Sequence, residues 1–157
     1  MPLDIDDVDL ESLILARNDT HPDGDWWFDP RKGTSLYHGL DDDSDLAELI
    51  DGVHVLIPRA PQPREDVEDF LASEELAELG DDVVVRLHQA ARGRGGLRRF
   101  REVVARSEAG DAWTRFTMRR EAVRAIDWLV GRDLVEPASA QRRRAELARG
   151  EPTRGAG

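Results

Sequence analysis

The chain has 157 residues and a formal net charge of −11, and it contains no cysteine. The missing thiols exclude disulfide bonds, cysteine-based zinc sites and a cysteine nucleophile. No apolar run approaches the roughly 20 residues that a membrane-spanning helix needs, and the acidic start lacks a targeting leader. These features predict a cytoplasmic protein without a membrane segment.

The first third of the sequence predicts one helix followed by three strands. Residues 9–17 show the pattern of a short amphipathic helix with acids at its start. Residues 25–29 and 34–38 flank a Pro- and Gly-containing turn, which indicates a hairpin. A third apolar run at residues 53–58 ends at a proline. We expect these strands to form an antiparallel meander with helices over one face.

Helical periodicity dominates from residue 64 onward. Apolar stripes over residues 67–79 and 83–92 predict two helices, and a further helix is expected to begin at Leu97. Its periodicity places Phe100 inward and Arg98, Arg99 and Arg101 outward or to the flanks. Residues 113–116 indicate a short extended piece, after which Thr117 is expected to cap a final helix whose apolar residues between positions 122 and 130 face the core.

Together these elements predict an α+β fold: an N-terminal helix, a three-stranded antiparallel meander and a C-terminal helical part. We expect residues 1–136 to form a single domain of this kind. Residues 137–157 are rich in Arg, Ala and Gly, and they predict a partly disordered tail with a short helix around residues 142–149.

Charge is distributed unevenly along the sequence. Residues 1–82 contain 24 acids and five basic residues, whereas residues 83–157 contain nine acids and 17 arginines. One interpretation is that the two halves neutralise each other within the fold. The other is that the second half presents a basic face to a partner.

The most concentrated basic stretch is residues 93–101, Gly-Arg-Gly-Gly-Leu-Arg-Arg-Phe-Arg. Glycines and guanidinium groups at a helix start suit an anion. A dinucleotide motif fails because Arg98 stands where a glycine is needed, and a Walker A motif fails because the only lysine is Lys32. The segment predicts either a helix–glycine–helix joint or an anion- or partner-binding site. The candidate site residues are Arg94, Gly95, Gly96, Arg98, Arg99 and Arg101.

No other motif indicates a metal, a cofactor or a catalytic group. The acids of residues 41–45 imitate the start of a calcium loop, but Leu46 and Gly52 stand where glycine and glutamate are required. His38 and His54 are expected on neighbouring strands, where a paired site is an alternative to ordinary half-buried histidines. No catalytic signature is present.

The stretch from Gly93 to Glu102 resembles the Gly-Lys-Gly-Ala-Phe-Arg-Arg-Phe-Lys-Asp signature of a bacterial family, uncharacterised protein family (UPF) 0158. The resemblance extends over roughly residues 5–136, and Gly96 and Leu97 depart from it. It implies the same fold and the importance of the arginines, without implying a reaction. Supporting matches are Trp113 with Phe116, residues 125–129, the turn at residues 29–33 and residues 55–58.

The favoured hypothesis is a non-catalytic cytoplasmic binding or regulatory protein whose arginine segment engages an acidic protein partner. The alternative is nucleic-acid binding through the same arginines, aided by residues 142–144. A third hypothesis is a metal-dependent hydrolase or transferase that uses the acidic loop. If Arg94, Arg98 and Arg99 pair with the acids of residues 65–82, the segment is architectural; if they line an open basic surface, it is a site.

Overall fold

A computed structural model describes residues 1–39, 52–60 and 63–150. The predicted α+β class with a three-stranded antiparallel sheet is confirmed. After a 3₁₀ helix at Ile5–Asp7, the described elements are α1 (Leu10–Asn18), β1 (Gly24–Asp29), β2 (Thr34–Gly39), β3 (Val55–Leu56), α2 (Arg64–Leu71), α3 (Glu74–Ala77), α4 (Asp81–Ala90), α5 (Gly96–Ala105), α6 (Gly110–Gly131) and α7 (Pro137–Ala148).

The chain forms two compact units. The first comprises Met1–Pro61 and Glu121–Gly157, and the second comprises Gln62–Arg120. We call them the sheet unit and the helical unit. The division into two compact units does not test whether residues 1–136 fold independently as one domain, so the single domain stays a prediction. Within the described residues, no helix combines the length and apolarity needed to cross a bilayer.

The sheet has the order β2-β1-β3, so the predicted meander order is wrong. The hairpin between β1 and β2 is as predicted: the Gly33 amide donates to the Asp29 carbonyl at 2.9 Å, and Gly33 has a φ of +70°. A tight turn forces its two strands to pair. The longer connection after β2 does not force β3 to pair with β2. Instead β3 pairs with the other edge of β1, where Leu56 lies opposite Trp27.

The core of the sheet unit forms where one face of the sheet meets helices. Phe28 on β1 is fully buried and packs edge-on against Trp128 of α6, with 6.1 Å between ring centroids. Leu13 of α1 and Ile126 and Leu129 of α6 are also fully buried. The second half of α6 therefore belongs to this core, as the sequence predicted for its apolar stripe.

Helix α7 begins at Pro137, ahead of the short helix expected around residues 142–149. Proline suits this first position because its missing N–H would have no partner inside the helix. Ala140, Arg143 and Leu147 are buried, so this part of the predicted tail is packed. Residues 151–157 lie outside the described residues.

The core of the helical unit is an aromatic cluster. Phe70 and Phe100 are fully buried, and Trp113 and Phe116 approach the Phe70 ring at 5.1 and 5.3 Å. The predicted extended piece at residues 113–116 is wrong, because helix α6 already begins at Gly110. Trp113 and Phe116 share one helical face, which lets both contact Phe70.

Thr117 does not cap a helix, contrary to prediction. It lies inside α6, and its hydroxyl donates to the carbonyl of Thr114 at 3.1 Å. A threonine hydroxyl satisfied in this way is tolerated in a helix interior.

Candidate functional site

The arginine segment lies where helix α4 meets helix α5. Residues 91–95 connect the two helices, and we call them the glycine joint. Gly93 and Gly95 both have a φ of +71°, a backbone conformation that strongly favours glycine. The predicted helix–glycine–helix arrangement is therefore present.

Gly96, the first residue of α5, is required by a close backbone contact. A Cβ atom at this position would lie 2.1 Å from the carbonyl oxygen of Ala91 and 2.7 Å from its carbonyl carbon. A side chain there would force the backbone to shift, because the start of α5 packs directly on Ala91, the residue that follows α4. The positive φ angles and the close backbone contact thus explain these glycines without a ligand.

The Arg99 side chain folds back over the glycine joint. Its Nε donates to the carbonyl of Ala90 at 3.2 Å, its Nη1 donates to the carbonyl of Arg94 at 2.7 Å, and its Nη2 donates to the carbonyl of Arg92. Carbonyls at the end of a helix lack internal partners and carry partial negative charge, which a guanidinium satisfies. Arg99 is therefore architectural.

The other arginines of the segment face solvent. Among the described residues Arg98 pairs with its own helix, through Glu102 at 3.3 Å, and its side chain is 87% exposed. Arg94 and Arg101 are exposed, and neither forms an ion pair within residues 1–39, 52–60 and 63–150. Of the four candidate arginines, three thus present charge outward.

Three acids of residues 65–82 pair with arginines of α6. The buried carboxylate of Asp66 receives Nε of Arg120 at 2.7 Å, and Asp69 receives Nη2 of the same side chain at 2.6 Å. Glu75 pairs with Arg119. These arginines lie on α6, so the architectural pairing considered for Arg94, Arg98 and Arg99 is formed by other residues.

Beside the glycine joint lies an open groove of about 350 Å³. Apolar side chains from both walls contribute to its lining, and charged and polar groups make up the larger part of its exposed surface. The lining residues are Arg64, Val67, Glu68 and Leu71 of α2, His88 of α4, Ala91, Arg92 and Gly93 of the joint, and Leu97 of α5. Sequence reasoning missed His88 and Arg92, although their spacing of four residues at a helix end was visible.

A second groove of about 440 Å³ surrounds the turn before α4. It contains the carboxylates of Asp81, Asp82 and Glu108, together with Arg86. Among the described residues, no cluster of three or more histidines and acids has a metal-binding arrangement. The acidic loop at residues 41–45 falls outside the described part of the chain.

The predicted neighbouring position of His38 and His54 is wrong, because His38 lies in β2, His54 directly precedes β3, and β1 lies between these two strands. His54 instead approaches Asp29, with 3.7 Å between Nε2 and Oδ2. Burial raises the pKa of Asp29, but hydrogen bonds from the backbone and side chain of Arg31 outweigh it and leave that pKa below its ordinary value. This cluster supports the hairpin.

The arginines of α7 at residues 142–144 also form ion pairs with acids. Arg142 pairs with Asp4 at 3.2 Å and with Asp6 at 2.9 Å, and Arg144 pairs with Asp127. Their charges are thus partly compensated within the sheet unit.

Comparison with known proteins identifies no relative. No family model matches the chain, and no match was found among curated proteins or among solved structures. The resemblance to uncharacterised protein family 0158 therefore stays a prediction.

Proposed function

We propose that this chain is a non-catalytic cytoplasmic binding protein that engages an acidic partner through Arg94, Arg98 and Arg101. We call these three residues the joint arginines. The observation that supports the proposal is the exposure of Arg94 and Arg101 without an ion pair among the described residues. Uncompensated charge on exposed side chains can contact a partner without breaking an ion pair within the described residues.

The local charge contrasts with the acidity of the whole chain. Glu102 is the only acid between positions 86 and 106, where the sequence has seven arginines: Arg86, Arg92, Arg94, Arg98, Arg99, Arg101 and Arg106. A net charge of −11 opposes nonspecific attraction of any polyanion. Binding to an acidic ligand therefore requires a local basic surface such as this one.

An acidic protein fits the surface better than a nucleic acid does. Single-stranded nucleic acids are usually held by exposed aromatic rings next to basic groups. Phe100, the aromatic residue of the segment, is fully buried, and Trp113 packs on it at 5.0 Å. Arg142 and Arg144, which were expected to aid nucleic-acid binding, pair with acids.

Fluorescence anisotropy with a labelled oligoglutamate peptide at low salt tests the proposal. The Arg94→Gln/Arg101→Gln double variant is expected to bind about tenfold more weakly than the wild type, because it loses two charge contacts. Arg132→Gln is the control: Arg132 is an exposed arginine of the sheet unit, without an ion pair among the described residues. We expect it to change the affinity by less than about twofold.

Two results would overturn the proposal. Equal weakening by Arg132→Gln and by the double variant would mean that the peptide responds to overall charge, without a site at the joint. Tighter binding of a single-stranded oligonucleotide than of a peptide with the same charge, at the same salt, would favour the nucleic-acid alternative.

A further inference from the structure

The groove beside the glycine joint has a mixed lining, in which apolar side chains lie among a larger polar surface. Val67 of α2 is buried, whereas Leu71, Ala91 and Leu97 are half-buried and border the open space. A volume of about 350 Å³ lies within the range of natural ligand sites. The groove therefore has room for an apolar side chain from a partner.

The charges at the rim are unequal on the two sides. On the α2 side, Glu68 pairs with Arg64 at 3.5 Å, so this wall compensates its own charge. On the opposite side, His88 and Arg92 are exposed, and neither forms an ion pair within the described part of the chain. The apolar side chains of the groove thus lie beside the uncompensated charge of Arg92 and the imidazole of His88.

An exposed apolar residue extends this surface along α4. Val85 is 53% exposed and lies three positions before His88, which places the two side chains on one helical face. An extended ligand that enters the groove next to His88 can therefore contact Val85 as well.

We propose that this groove binds a leucine-sized side chain of an acidic peptide, whose neighbouring carboxylates contact Arg92 and His88. The inference rests on the proposed function and specifies its partner. The partner is an acidic segment that also carries an apolar anchor residue, and acidic residues alone are not sufficient. Charge complementarity selects the peptide, since Arg92 is positively charged and lies beside the apolar side chains of the groove. The arrangement combines a buried anchor with a polar rim, as interfaces commonly do.

The first experiment compares two ligands on the wild-type protein. One is a short oligoglutamate peptide with a central leucine, and the other has alanine at that position. Both carry the same charge, so the proposed function alone predicts equal affinity. Burial of the larger side chain in the groove is expected to make the leucine peptide bind about tenfold more tightly.

The second experiment fills the groove. Ala91→Leu places a larger side chain among the lining residues, and it should remove the preference for the leucine peptide while leaving the affinity for the alanine peptide nearly unchanged. Ala105→Leu is the matched control, because Ala105 is exposed on α5 and does not line the groove. It should preserve the preference. Circular dichroism of both variants verifies that they are folded.

The outcomes separate the two proposals. Equal binding of both peptides by the wild type would overturn the groove inference and leave the proposed function standing. Binding of neither peptide would overturn both. A preference that survives in a folded Ala91→Leu protein would place the apolar contact elsewhere and overturn the inference.

Discussion

Replacing Gly96 with alanine directly tests the packing at the glycine joint. The added Cβ would meet the carbonyl oxygen of Ala91 at 2.1 Å, whereas carbon and oxygen atoms normally stay about 3.3 Å or more apart. The helices must therefore separate by about 1 Å. Overpacking of this kind costs about 3 kcal/mol, and the better helix propensity of alanine returns about 1 kcal/mol.

The expected loss in the free energy of unfolding is thus about 2 kcal/mol, which lowers the melting temperature by roughly 4–8 °C. Two controls separate contact from conformation. A Cβ at Gly131 would meet no atom within 4 Å, and Gly131→Ala is expected to be neutral or slightly stabilising. Gly93→Ala meets no atom either, but its φ of +71° predicts a loss of about 1 kcal/mol.

Urea unfolding followed by far-UV circular dichroism and by tryptophan fluorescence measures these differences. Because the chain has two compact units, one free energy of unfolding is meaningful only where the two signals change together. The reasoning would be refuted if Gly96→Ala were as stable as Gly131→Ala, since the backbone contact would then not be enforced.

Four further predictions concern the same molecule. Arg99→Met removes three hydrogen bonds to backbone carbonyls and should lower the free energy of unfolding in urea by about 1–2 kcal/mol. Arg98→Met should lower it little, and equal losses would contradict the architectural role of Arg99. Because the pKa of Asp29 is lowered in the folded state, its contribution to stability should be present near neutral pH and lost as the pH falls through that pKa. Asp29→Asn should reduce the acid sensitivity of urea unfolding. An unchanged pH profile would argue against a stabilising role of the Asp29 carboxylate. Affinity for oligoglutamate should fall steeply as salt is raised, so a flat salt dependence would exclude charge contacts. Mg²⁺, Mn²⁺ and Ca²⁺ should leave the melting temperature unchanged; a rise with any of them would support the metal-dependent alternative.

Local sequence patterns predicted the parts of the fold that depend on neighbouring residues. The turn at residues 29–33 and the inward position of Phe100 follow from turn chemistry and helical periodicity, and both are present. The strand order depends on a long connection whose path no local pattern fixes. Trp113 and Phe116 were mistaken for an extended piece because aromatic residues favour strands, whereas their contacts with Phe70 require a helix.

The candidate site was predicted in position but only partly in its contacts. Periodicity placed Arg99 outward, and it could not show that this long, flexible side chain bends back onto carbonyls of Ala90 and of the glycine joint. The pairing of Asp66 with Arg120 joins residues far apart in the chain, so no local pattern revealed it. One signal was available, because Asp66 lies four positions before Phe70 and therefore shares its buried face.

The sheet unit has a consequence for the order of events during synthesis. Its two segments are joined by hydrogen bonds between Leu3 and residues 134 and 136, and by the Ile5 amide, which donates to the Ser139 hydroxyl across 134 positions of sequence. Translation completes the helical unit, Gln62–Arg120, before it reaches these partners. Domains usually fold from the N-terminus as they emerge. We therefore expect the first residues to complete these hydrogen bonds only after residues 134–139 have been made, so that the inserted unit can begin to fold earlier.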